Sequence, residues 1–277
     1  MNINKIQKEV ESAVARASFD LRPDVYKLIK QAYMRESKKR SKKALKWILD
    51  NARIASAERL AICQDTGFPV VFIEASKNVK ISASLVEAIK KGVEAGFRKN
   101  YLRASVVDPI ERNNPGFKGM IYHLDFSGTT KGLRITIFPK GFGSENKTAL
   151  KMFNPTASLG DIENFVVEAV NRAGPEACPP FVVGIGIGGT ADYSLFLAKK
   201  ALLDKINKLN PDKKLKAMEK NILRKVNDLG IGPMGFGGKT TALAVKIKKS
   251  PTHIAGLPVG VNVGCHALRS AVVNIKV

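Results

Sequence analysis

Apolar residues recur at helical spacing through the first sixty positions and at strand spacing through much of the middle. Ile3, Ile6, Val10, Ala13, Val14 and Ala17 predict an amphipathic helix over residues 3–18. Pro23 suits a first helical turn, and Val25, Leu28, Ile29, Ala32 and Tyr33 give the next apolar face. Ser41 can cap a third helix through Leu45, Ile48, Leu49, Ala52 and Ala55. The continuous apolar run Phe68 to Glu74 reads as a buried strand, and Ser84 to Phe97 as a helix. Ile121 to Phe126 alternates as a half-buried strand. Leu133, Ile135 and Ile137 do the same in a strand ending at Pro139. Residues 140–146 are too glycine-rich for a regular element, yet polar enough for a site.

Further on, Ser158 and Asp161 form a capping box for a helix Leu159 to Ala173, closed by Gly174. A strand Phe181 to Ile187, a helix Ala191 to Asp204 and a basic helix Lys213 to Asp228 follow. Strand-like Thr240 to Ile247, a loop bearing His253 and Cys265, and Ala271 to Val277 finish the chain. The fold class expected is α/β, with mixed helices and strands: a helical N-terminal segment (about residues 1–62) packed on a mixed-sheet domain with flanking helices. Without a linker, an internal repeat or a low-complexity tail, residues 1–277 read as a single domain.

Composition narrows the partners. The net charge of +22 permits a nucleic acid, an acidic protein or an anionic substrate. Much of the excess is lysine on helical stretches such as Glu36 to Lys46, with acids interspersed, as on a solvated surface. Neither an aromatic RNA-binding signature nor zinc-finger spacing accompanies it. No run nears the roughly 18 apolar residues of a membrane span, and the N-terminus does not read as a secretory signal. An odd number of cysteines, three, argues against a disulfide framework and for a reducing, cytoplasmic compartment.

Those cysteines stand far apart, each in a Gly- or Pro-rich stretch: Cys63 in Cys-Gln-Asp-Thr-Gly, Cys178 before Pro179-Pro180, and Cys265 in Gly-Cys-His. Three thiolates suit a [4Fe-4S] cluster with one iron left open as a Lewis acid. By spacing alone, three scattered cysteines are more often structural, since a free cysteine commonly behaves as a small buried hydrophobe. Gly184-Ile185-Gly186-Ile187-Gly188-Gly189 matches a dinucleotide fingerprint, but the acidic residue it requires is missing, since Asp204 ends a basic helix. Close backbone packing around Cys178 is the better use of these glycines. Gly237-Gly238-Lys239-Thr240 ends like a phosphate loop, yet Pro233 replaces its first glycine and a strand follows where a helix must.

Taken together, Cys63-Gln64-Asp65-Thr66-Gly67, Leu102-Arg103-Ala104-Ser105, Lys140 to Asn146, Gly188 to Asp192, Gly237 to Thr241 and Gly264-Cys265-His266 resemble the class I, iron–sulfur-dependent fumarase family. The related L-tartrate dehydratase shares this pattern. The resemblance runs from about the third helix to the end. It implies that Cys63, Cys178 and Cys265 hold a [4Fe-4S] cluster, that Gln64, Arg103 and His253 bind a dicarboxylate, and that Asp65 and His253 act in catalysis. The same resemblance implies the alpha part of a two-chain fumarate hydratase, with the rest of the site on a beta subunit in an α2β2 assembly, and neither nucleic acid nor membrane as partner. Its alternatives are an L-tartrate dehydratase alpha subunit and, in another class, a basic nucleic-acid-binding protein. Without the resemblance, Asp65 reads as an Asx-turn and Arg103 and His253 as surface residues. His266 is left out of the catalytic set, and His123 reads as structural.

Overall fold

A computed structural model describes residues 2–126 and 131–276. The elements in order are α1 (Ile3–Phe19), α2 (Pro23–Arg35), α3 (Lys39–Glu58), β1 (Phe68–Ala75), α4 (Ala83–Lys99), β2 (Ile121–Asp125), β3 (Leu133–Lys140) and α5 (Phe142–Glu145). There follow β4 (Ala149–Phe153), α6 (Leu159–Ala173), β5 (Phe181–Gly189), α7 (Ala191–Ala201), α8 (Lys213–Asp228), β6 (Ala242–Thr252), β7 (Leu257–Gly264) and β8 (Ala271–Ile275). The fold is mixed α/β, and it divides into two compact units. The first holds residues 1–21, 52–142 and 269–277; the second holds 22–51 and 143–268.

In the first unit four strands lie in the order β2-β1-β3-β8. β1 pairs in parallel with β2 and antiparallel with β3, which pairs antiparallel with β8. Val71, Ile73, Ile135, Ile137 and Val273 from the sheet form one core with Val10 and Val14 of α1 and Ile89 and Val93 of α4. β2 departs from its half-buried expectation. It is an edge strand on which Ile121, Tyr122 and Leu124 are all exposed, because alternation there is not matched by a covering layer. His123, opposite Phe72 in the register, lies 5.0 Å from that ring. β3 runs through Pro139, which pairs with Pro69, to Lys140.

The second unit has the order β4-β7-β5-β6. β5 pairs in parallel with β6 and antiparallel with β7, and β7 pairs antiparallel with β4. Along β5 the side chains alternate in size. Val183 and Ile185 join a core with Val166 and Val170 of α6 and Ile222 and Val226 of α8. Gly184 and Gly186 turn to the other face, against α7: a Cβ on Gly186 would lie 2.0 Å from the carbonyl oxygen of Ser194. The glycines of the dinucleotide-like motif therefore seat a helix, and not the surroundings of Cys178. The loop resembling a phosphate loop wraps a carboxylate of its own chain. Glu36, 2% exposed, accepts the N–H groups of Ser37, Lys38 and Lys239, and a Cβ on Gly238 would meet its Oε2 at 2.5 Å.

Three further expectations are corrected. Ser41 sits inside α3, fully buried, and spends its hydroxyl on the carbonyl of Gly237 at 2.6 Å; it does not cap. Residues 142–145 do form one helical turn. The stretch between His253 and Cys265 is mostly the strand β7. The capping box of α6 forms in full, with Ser158 and Asp161 each bonding the other's backbone. Among the described residues no helix is long and apolar enough to cross a membrane.

Candidate active site

In the first unit the segment before β1 is tied down residue by residue. Ile62 donates its N–H to the carbonyl of Ser18 at 3.0 Å, and Cys63 follows, half-buried. Gln64 is exposed. Asp65 closes an Asx-turn by accepting the N–H of Gly67 at 2.9 Å on Oδ1. Its other oxygen accepts the N–H of Phe142 at 2.8 Å. Its carbonyl accepts a hydrogen bond from Arg269. Thr66 accepts the N–H of Arg103 at 3.1 Å on its hydroxyl, so the backbone of Arg103 is held while its side chain stays exposed. The structure thus gathers Cys63, Gln64, Asp65 and Arg103, together with the end of β3. The Asx-turn weighed for Asp65 forms on one oxygen, while the other reaches across to a second segment.

In the second unit the antiparallel register of β5 and β7, Val182 opposite Gly264, brings the start of one strand to the end of the other. Cys178 and Cys265 flank that end. Cys178 takes a left-handed backbone (φ 56°, ψ 68°), a conformation costing a non-glycine residue about 1–3 kcal/mol and concentrated at functional sites. Its carbonyl accepts the N–H of His266 at 3.1 Å, and the His266 ring Nδ1 lies 3.1 Å from the same oxygen. His266 therefore joins the two cysteine segments, a part that its place beside Cys265 did not disclose.

His253 stands elsewhere. It opens the turn between β6 and β7, where Thr252 donates its hydroxyl to the carbonyl of Gly189 as the chain steps over the end of β5. The eight residues of β7 separate it from Cys265 by roughly 25 Å at about 3.3 Å per residue. The ring is exposed, and its Nδ1 accepts the N–H of Ala255 at 3.2 Å. Within one chain, His253 and the cysteine segments of this unit occupy opposite ends of the sheet.

The family model described as fumarate hydratase (fumerase) matches residues 7–274. The chain belongs to this family. A protein of Methanocaldococcus jannaschii that carries the provisional name L(+)-tartrate dehydratase subunit alpha is 43% identical over 98% of this chain and 98% of its own length. A provisionally named class I fumarate hydratase of Geobacillus stearothermophilus is 29% identical over 99% of this chain and 55% of its own. The L(+)-tartrate dehydratase subunit alpha of Escherichia coli K12 is 27% identical over 96% of this chain and 89% of its own. As a fumerase-family member the chain is a hydro-lyase.

The side-chain chemistry suits an iron–sulfur cluster: three soft sulfur atoms, each half-buried and none in a disulfide. Cys63 belongs to the first unit, Cys178 and Cys265 to the second. Among the described residues, no group of three or more His, Cys, Asp or Glu side chains is placed to hold a metal ion.

Proposed function

We propose that this chain is the alpha subunit of a [4Fe-4S]-dependent fumarate hydratase, adding water to fumarate to give (S)-malate and reversing that reaction. Residues 1–277 would act as one alpha-type catalytic domain, completed by a beta subunit in an α2β2 assembly. Names of two relatives as alpha subunits support a second chain. The reading is carried by the convergence of Cys63, Asp65 and Arg103 on one short segment of a fumerase-family chain.

Dehydration of malate removes a proton from C3 and expels hydroxide from C2. A cluster held by Cys63, Cys178 and Cys265 would supply an open iron as Lewis acid toward the leaving hydroxyl. This chain's own residues do the rest of its share. Arg103, held by its backbone and exposed by its side chain, offers a planar two-pronged donor to a substrate carboxylate. Gln64 offers an amide to the same ligand. Asp65, whose Oδ2 accepts the N–H of Phe142, would move a proton at the C2 oxygen, a role that requires it to lie within hydrogen-bond reach of that atom. His253 binds substrate and aids proton movement, and its place at the far end of β7 supports service to a second copy's site in the α2β2 assembly. Half-buried thiols suit a reducing, cytoplasmic setting.

A second reading, an L-tartrate dehydratase alpha subunit, is favoured by the 43% identical relative's name. The substrates differ by one hydroxyl, which one polar contact can discriminate. The test is anaerobic co-expression with the beta chain, iron and sulfide analysis, and parallel assays on malate and L-tartrate. Preference for malate supports the first reading and preference for tartrate the second. A cluster-loaded complex that turns over neither removes both.

A further inference from the structure

Arg269 follows apolar Ala267-Leu268 and, past Ser270, precedes apolar Ala271-Val272-Val273, and it is only 3% exposed. Among the described residues its guanidinium makes one hydrogen bond, to the carbonyl of Asp65. Among those same described residues its buried Nε–H finds no acceptor and the guanidinium forms no ion pair. The same chain shows how a buried arginine is normally satisfied. Arg22, at 8% exposure, donates to both carboxylate oxygens of Asp24 and to the carbonyls of Leu202 and Asp204. A buried guanidinium lacking such compensation is costly. It is expected where an anion from outside the chain completes it.

We infer that Arg269 is a substrate-binding arginine, donating to a carboxylate of the C4 dicarboxylate beside Asp65. The inference rests on the hydro-lyase reading, and it deepens that reading by adding a second carboxylate-binding arginine to Arg103. One nitrogen holds the Asp65 carbonyl and the remaining donors face the ligand, so the residue that positions the acid also measures the substrate against it.

The test uses the cluster-loaded complex with its beta chain, unsubstituted and as Arg269→Gln and Arg269→Lys. Three quantities are read: KM and kcat for malate and L-tartrate, the rise in melting temperature caused by succinate as a non-reacting dicarboxylate, and iron content. Arg269→Gln should raise KM roughly 10- to 100-fold, the range for one lost charge-assisted contact, and abolish the succinate-induced rise with iron content unchanged. Arg269→Lys, keeping charge but losing the fork, should fall between. A lower kcat with KM and the succinate effect intact would make Arg269 a clamp on the Asp65 segment only and overturn the inference. Iron loss in the lysine variant would overturn it too. If Arg269→Gln does not fold, an unchanged KM in Arg269→Lys decides against it. Should the unsubstituted complex turn over neither substrate, the functional reading fails, while succinate binding still reports on Arg269.

Discussion

Asp24, in the first turn of α2, has both carboxylate oxygens engaged. Oδ2 meets Arg22 at 2.6 Å and the N–H of Ile206 at 2.9 Å, and Oδ1 meets Arg22 and the N–H of Val25, each at 3.1 Å. Burial alone would push this carboxyl up; the Arg22 guanidinium and the two backbone donors outweigh it and hold the pKa below its ordinary value. With the folded value under the unfolded one, the stabilisation is complete at neutral pH and down to about pH 4, then lost as pH falls through the lowered value. Asp24→Asn should cost about 3 kcal/mol at pH 7, as for a buried pair losing one partner. Urea melts should show that deficit narrowing below about pH 4; an equal deficit at pH 7 and pH 3 would exclude the carboxylate charge as its source. For the three cysteines the expectation is sharper. Cys63→Ser, Cys178→Ser and Cys265→Ser should each lose iron and visible absorption in anaerobic preparations, because no spare thiol exists. A variant that keeps both takes its residue out of the ligand set. Arg269 escaped sequence reasoning because one arginine among 46 basic residues carries no signal. Its apolar flanks were the only clue, and they gain meaning once burial is known.

β5 and β7 show how much of an element can be read locally. The alternation of Val183 and Ile185 with Gly184 and Gly186 was visible as a glycine pattern, but its purpose depends on α7 lying against the small face. Gly186→Ala places a methyl against the Ser194 carbonyl at 2.0 Å, so strand and helix must part. About 3 kcal/mol is expected, the upper range for overpacking, with α7 amides exchanging hydrogen faster than those of α6. Equal exchange in the two helices would mean that the strain spreads evenly. Ser158→Ala should cost only about 1 kcal/mol, as for a lost helix cap. The box was legible because its two residues lie three apart in sequence and need nothing else. β7 was not. Pro258, Gly260 and Gly264 punctuate it like a loop, and it is a strand because β4 and β5 pair with its two edges while Gly260 receives the backbone of Ser194. That misreading also hid the distance between His253 and Cys265.

For the whole molecule, the net charge of +22 bears on association more than on fold. If an acidic beta chain completes the site, its association rate should fall steeply as ionic strength rises, with less change in final affinity. Stopped-flow mixing of the cluster-loaded chain with the beta chain measures this, and a salt-independent rate would remove electrostatic steering. The chain alone should dehydrate malate little; full turnover without the partner would refute the two-chain reading. The sequence by itself determined the helices of the N-terminal segment, the mixed α/β class, the capping box of α6 and the family, through periodicity and motifs that act within a few residues. Tertiary structure alone decided that β2 is exposed, that Gly238 wraps Glu36, that His266 joins Cys178 to the Cys265 segment, and that Arg269 lies buried on Asp65. Each joins positions distant along the chain, where pairing, burial and charge compensation depend on which segments meet, and no local pattern carries that information.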